Sequence, residues 1–176
     1  MSYSTLRGST LEEMLNLTNE AYRRKGLALV QKIPTPVTPV EFDAGRRVIT
    51  CAYFEKKSTV DYIGAVQGVP ICFDAKETAE KKLPLRNVQG HQFDFMRDFE
   101  RQGGVAFLVV YFRAADEYYF VPFADVRRLA SERKYAGPDE MDKRLLIPRK
   151  NGFIVHYLES LARFMEIIDS NGGAAP

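Results

Sequence analysis

Eight consecutive residues, Val105-Ala-Phe-Leu-Val-Val-Tyr-Phe112, carry no charge and almost nothing that demands water. A run of that length fits a β-strand, and a strand without a polar face has to be covered on both sides. The cover is available. Thr10-Leu-Glu-Glu13 fits a helical capping box, with Leu11, Met14, Leu15 and Tyr22 on one apolar stripe and Gly26 as the stop. The period of Val88, Phe95 or Met96, and Phe99 predicts a helix over about 89–102, and a short helix is expected over 125–133. Phe153, Tyr157, Leu158, Leu161, Phe164, Met165 and Ile168 predict a C-terminal amphipathic helix. Strands are expected at 27–33, 60–66, 69–76, 105–112 and 118–121, with a possible edge strand at 145–147. Helix, strands, helix, strands, helices is the order of an α/β fold, one mixed β-sheet flanked by helices.

With 176 residues and 45% hydrophobic content, one domain over 1–176 is expected, with terminal stretches 1–8 and 171–176 loose. The net charge of +2 excludes a histone-like polycation. Cys51 and Cys72 match no zinc or redox spacing. No basic-then-apolar leader and no run near the ~20 apolar residues that span a bilayer are visible, so the chain reads as cytoplasmic with no membrane partner.

The chemistry concentrates in one predicted β-hairpin, with Gln67-Gly68 as its turn. Asp74 and Lys76 are two apart on the second strand and share a face, while Ile71, Phe73 and Ala75 take the opposite, core face. Asp61, on the partner strand, is brought beside Asp74 by the turn. Two carboxylates and a cation in a small volume suit Mg²⁺ and phosphodiester chemistry, the lysine serving to orient water or stabilise growing charge. A surface hairpin with an ordinary Asp–Lys ion pair has the same sequence pattern. Nothing else competes: His91 and His156 are isolated, and no phosphate-binding glycine loop is present.

Residues 40–57 behave differently from their surroundings. Charged flanks around Val48–Phe54 leave little to bury, so the stretch is expected to protrude from the fold as a partly mobile excursion. Arg46, Arg47, Lys56 and Lys57 are candidate phosphate contacts there, although a solvated loop would carry the same residues. Glu12, at the border of the first helix's stripe, is either a carboxylate reaching into a cleft or a first-turn acid complementing the helix dipole.

Several motifs in order resemble the RecU family of Holliday junction resolvases, members of the PD-(D/E)xK nuclease superfamily. They are Arg7-Gly-Ser-Thr-Leu-Glu12 with Thr18-Asn19, Lys32-Ile-Pro-Thr-Pro36, Ala52-Tyr-Phe54, Ser58-Thr-Val-Asp-Tyr-Ile-Gly64, Phe73-Asp-Ala-Lys-Glu-Thr78, Pro84-Leu85 and His91-Gln92. The resemblance spans nearly the whole chain. It implies a restriction-endonuclease-like fold, and Mg²⁺ ligands at Thr59, Asp61, Asp74 and Gln92, with Mn²⁺ an acceptable substitute. It also implies a transition-state-stabilising Lys76, an outer carboxylate at Glu12, and a stalk that meets the junction centre. Asp74 stands where many members carry Glu. The implied activity is symmetric paired nicking of four-way DNA junctions by a homodimer in recombination and repair, with other recombination proteins as further partners. Two alternatives stay open: a related nuclease cutting other branched or duplex DNA, and a junction-binding recombination factor that has lost catalysis.

Overall fold

The computed structural model describes residues 10–54, 59–170 and 172. A five-stranded mixed sheet forms the centre, in the order β1 (Leu29–Lys32), β4 (Tyr62–Val66), β5 (Val69–Thr78), β7 (Val105–Phe112), β8 (Glu117–Pro122). Only β5 and β7 run parallel, and α2 (Gly90–Arg101) makes the crossover between them. Helices α1 (Leu11–Arg24) and α4 (Tyr157–Ser170) cover one face, α2 and α3 (Phe123–Glu132) the other. The apolar run at 105–112 is the buried strand that its composition requires. Outside this sheet stand the hairpin of β2 (Val37–Asp43) and β3 (Val48–Phe54), and a small pair of β6 (Leu83–Pro84) with β9 (Tyr135–Ala136).

An aromatic ladder sets the register of the central sheet on the α1–α4 face. Tyr62 of β4 stacks on Phe73 of β5 at 4.7 Å, Phe73 on Phe107 of β7 at 4.8 Å, and Phe107 on Phe120 of β8 at 4.2 Å. Slipping β4 against β5 by one residue would turn Tyr62 out of this stack and move every neighbour to the wrong face. The Gln67-Gly68 turn closes the β4–β5 hairpin with both residues at positive φ (48° and 89°), as a two-residue turn between twisted strands requires. A Cβ on Gly64 would lie 2.3 Å from the Leu29 carbonyl oxygen, so only glycine lets β1 approach β4 there.

Helix α1 has the expected capping box: the Thr10 hydroxyl accepts from the Glu13 N–H, and Glu13 reaches back to the Thr10 N–H at 2.7 Å. Glu77, at the end of β5, also accepts from the Leu11 N–H at 2.8 Å and pairs with Arg113. The helix that covers the sheet is thus tied to the strand bearing Asp74 and Lys76.

Several boundaries differ from the sequence expectation. The first hairpin strand starts at Tyr62, not Val60, so Asp61 precedes the strand. Helix α4 starts at Tyr157; Phe153 and Val155 are buried from a non-helical lead-in, and the four-residue spacing of Phe153 and Tyr157 only imitates a helical period. The expected edge strand at 145–147 is a 3-10 turn (Lys143–Leu145) followed by one bridge, Leu146 to Tyr119. The face that bears Asp74 and Lys76 is also a core face, since Cys72 and Val110 beside them are buried under α2 and α3.

The segment expected to protrude is the β2–β3 hairpin. Almost all of its described side chains are exposed, including Val40, Phe42, Ile49 and Tyr53, and none belongs to either core. Arg7–Ser9, Lys56, Lys57 and Ser58, named above from the sequence, lie outside the described residues, as do the terminal stretches 1–8 and most of 171–176. Cys51 is exposed and Cys72 buried, both as free thiols. Among the described residues no helix is long and apolar enough to cross a membrane.

Candidate active site

Asp61 lies in the bend between residue 59 and β4. Val60 pins that bend, its side chain buried with Cys72 and Leu108 under α2. The two acids are locked to one another through backbone: the Asp61 N–H donates to Asp74 Oδ1 at 3.2 Å, and the Ala75 N–H donates to Asp61 Oδ2 at 2.8 Å. The ladder pair Tyr62–Phe73 supports this clamp from the other face, because each acid is the chain neighbour of one ring.

Asp74 is 0% exposed, so its charge must be met inside the protein. Gln92, on the first turn of α2, donates from Nε2 to Asp74 Oδ1 at 2.8 Å. The Lys76 ammonium forms an ion pair with Asp74 Oδ2 and donates to Gln92 Oε1 at 3.3 Å. The Gln89 N–H also donates to Gln92 Oε1, at 2.9 Å, which fixes the amide with its oxygen toward the helix start. Gln92 therefore satisfies an open helix end and aligns both members of the Asp74–Lys76 pair.

Two features set the charge balance of the cluster. Asp74 Oδ2 is buried and accepts no well-directed hydrogen bond among the described residues, with only the Lys76 ion pair beside it. Burial, and then the negative charge of Asp74, push the Asp61 carboxyl up to about 6; the Ala75 N–H and Lys76 offset this only in part. Both carboxylates offer hard oxygen donors of the kind that suits Mg²⁺ or Mn²⁺, whereas Gln92 turns its Nε2 toward Asp74 and its oxygen toward the helix start. Among the described residues no three His, Cys, Asp or Glu side chains gather into a metal-holding group, so Asp61 and Asp74 are the acids this site supplies.

The other predicted site residues are placed as follows. Thr59 is half-buried, two residues before Asp61 in the same bend. Glu12 is half-exposed and forms an ion pair with Lys32 of β1, and no hydrogen bond or ion pair joins its side chain to Asp61 or Asp74. Its backbone carbonyl accepts the Tyr62 hydroxyl at 3.2 Å, and Asn16 Oδ1 lies 2.9 Å from the same hydroxyl, so α1 steadies the strand that follows Asp61. Arg46 and Arg47 are at the tip of the β2–β3 hairpin. Arg46 is held to Asp43 at 2.9 Å, and Arg47 adopts φ 54° in the turn. His91 takes the second position of α2, and Gln89 is the N-cap. Sequence reasoning missed the Ala75 and Gln89 N–H groups, which carry no residue-type signal, and Lys32 as the partner of Glu12.

The RecU family, described as Recombination protein U, matches residues 6–163. A protein from Leuconostoc mesenteroides subsp. mesenteroides named Holliday junction resolvase RecU is 35% identical over 170 residues, covering 92% of this chain and 83% of its own. A protein of the same name from Geobacillus sp. (strain WCH70) is 40% identical over 142 residues, covering 78% of this chain and 71% of its own. Among solved structures, Archaeoglobus fulgidus Hjc, a Holliday junction resolvase, is similar at a TM-score of 0.47 and 10% identity, covering 74% of this chain and 90% of that one. By the extent of the family match and the identity to these relatives, the chain belongs to the RecU family.

Proposed function

We propose that the chain is a Holliday junction resolvase: a nuclease that cuts four-way DNA junctions in recombination and repair, in the cytoplasm. The observation that carries this reading is the clamp of Asp61 to Asp74 with Lys76 and Gln92 attached, in a chain that belongs to the RecU family. The function in the names of its relatives is the one this cluster is chemically equipped for. The finer reading is Mg²⁺-dependent hydrolysis by a homodimer, one nick per subunit on opposed strands.

Asp61 and Asp74 would hold Mg²⁺, with Thr59 and Gln92 as neutral oxygen donors. For Gln92 this requires its oxygen to turn from the Gln89 N–H. The chemistry that Mg²⁺ supplies when bound is Lewis-acid polarisation of the phosphodiester. Lys76, only 16% exposed, presents a partly dehydrated ammonium; it can stabilise the charge that grows on the phosphoryl oxygens and position the attacking water. Without metal, Gln92 keeps Asp74 and Lys76 in register, and the Ala75 N–H holds the Asp61 carboxylate toward the same site. Glu12, tied to Lys32, acts from outside this set by anchoring Tyr62 through its backbone.

The test is incubation with a synthetic four-way junction and with linear duplex of the same sequence, each with Mg²⁺ and with EDTA. Paired nicks on the junction alone, only with Mg²⁺, support the reading. Equal cutting of duplex overturns junction selectivity, and binding without nicking in any divalent metal overturns the enzyme reading.

A further inference from the structure

Two open clefts of similar volume, about 430 and 460 Å³, are cut into the surface, and they differ in charge. The first mixes Lys81, Lys82 and Lys143 with Glu80, Glu117 and Glu140, and its Lys82–Glu140 and Lys143–Glu117 pairs lie at 3.7 and 3.6 Å. The second lies between the 3-10 turn Leu85–Asn87 with the start of α2 and the end of α3 with β9. Arg86, Arg133 and Lys134 line it, and no acid does. Arg133 is taken by Glu140 at 3.1 Å, while Arg86 and Lys134 pair with no acid among the described residues. Tyr135, 49% exposed, and half-buried Phe93 add two aromatic rings to the walls.

The backbone segments that bear Arg86 and Lys134 are tied together, while both side chains are exposed. Pro84 pairs with Tyr135 in the β6–β9 ladder, and the Leu85 N–H donates to the Lys134 carbonyl at 3.0 Å. The groove also shares the first turn of α2 with the catalytic cluster: Phe93 on its wall follows Gln92, which holds Asp74.

We propose that this groove binds the sugar–phosphate backbone of a DNA strand whose scissile phosphate lies at the Asp61–Asp74–Lys76 cluster. Arg86 and Lys134 pair with phosphates, and Tyr135 packs against a sugar or base. The inference rests on the nuclease reading above. Two exposed cations on one backbone scaffold, with no acid partner among the described residues, attract a polyanion, and the planar guanidinium of Arg86 matches a phosphate. Exposed rings beside them offer a stacking surface that tolerates any base. An acidic peptide would satisfy the same cations, but the groove's position on the helix that anchors Asp74 favours the strand being cut.

The experiment measures binding of a fluorescein-labelled four-way junction by anisotropy across a salt series in EDTA, with nicking in Mg²⁺ read separately. For the pair Arg86→Ala/Lys134→Ala, affinity should fall about tenfold near 0.1 M salt, and the log–log salt slope should become shallower by roughly 2, one phosphate contact for each lost cation. The charge-matched pair Lys81→Ala/Lys82→Ala in the other cleft should bind like wild type. Tyr135→Ala should weaken binding several-fold, and Tyr135→Phe should not. Should alanine disturb the turn, Arg86→Gln/Lys134→Gln repeats the test. An unchanged affinity and slope in the groove pair, or equal losses in both pairs, overturns the groove. So does a groove pair that loses a Glu-rich peptide bound by wild type while keeping junction affinity. Wild-type binding without nicking in Mg²⁺ overturns the nuclease reading alone and leaves the groove decided by anisotropy. A wild-type chain that binds no DNA overturns both.

Discussion

Gln92 Nε2 donates to Asp74 Oδ1 at 2.8 Å, joining the first turn of α2 to the middle of β5. The same side chain receives the Gln89 N–H at 2.9 Å, so helix start and buried carboxylate share one anchor. Gln92→Ala leaves both without it. We predict a stability loss of about 1–3 kcal/mol in chemical denaturation, and nicking reduced about 10–100-fold. Wild-type nicking in this variant would remove Gln92 from the site.

Asp61 supplies a pH signature in metal-free protein. Its folded-state pKa, about 6, lies above the ordinary carboxylate value, so the folded chain holds this proton more tightly than the unfolded chain. Its contribution to stability is full below pH ~4 and is lost as pH rises through about 6. Asp61→Asn should remove that decline and raise the stability of metal-free protein at pH 7–8 by on the order of 1–2 kcal/mol, the group being partly solvated. Mg²⁺ should raise the wild-type melting temperature at pH 7–8 more than at pH 5, and should not raise that of Asp61→Asn. Melts in EDTA and in Mg²⁺ at the two pH values test both statements.

Lys76 is the counter-charge of a buried acid as well as a candidate catalytic group. Lys76→Met keeps the bulk of the stem and removes the ammonium. Nicking is predicted to fall by about 10²–10³ while junction affinity stays within a few-fold of wild type. A variant that cuts normally would reduce the Asp74–Lys76 pair to a structural feature.

The β2–β3 hairpin should be separable from stability. Its described side chains lie outside both cores. Replacing Pro39–Ala52 with a short Gly-Ser link should leave the thermal midpoint nearly unchanged and weaken the preference for junction over duplex. A collapsed melting transition would show that the hairpin is structural.

Local rules made much of this legible. The period of two put Asp74 and Lys76 on one face of β5, the capping box placed α1, and the unbroken apolar run placed β7. Non-local packing hid the rest. That the Asp74 face is roofed by α2 and α3 depends on how the β5–α2–β7 crossover is laid down, which no short window contains. The apolar Val60 extends the predicted strand back over Asp61, but Val60 is buried from a bend. Gln92 reads in isolation as a solvent-exposed polar residue, and only the family resemblance singled it out. Glu12 was ambiguous between cleft and helix end, and its pairing with Lys32 depends on the approach of β1 to α1.

The clamped pair Asp61–Asp74 is expected to be the catalytic centre of a junction-cutting enzyme. The most direct measurement compares wild type with Asp74→Asn on a labelled four-way junction in Mg²⁺, scoring nicks on denaturing gels and binding on native gels. The predicted result is paired symmetric nicks with wild type, and nicking lost in Asp74→Asn while junction binding is retained. Nicking by Asp74→Asn at the wild-type rate would contradict the claim.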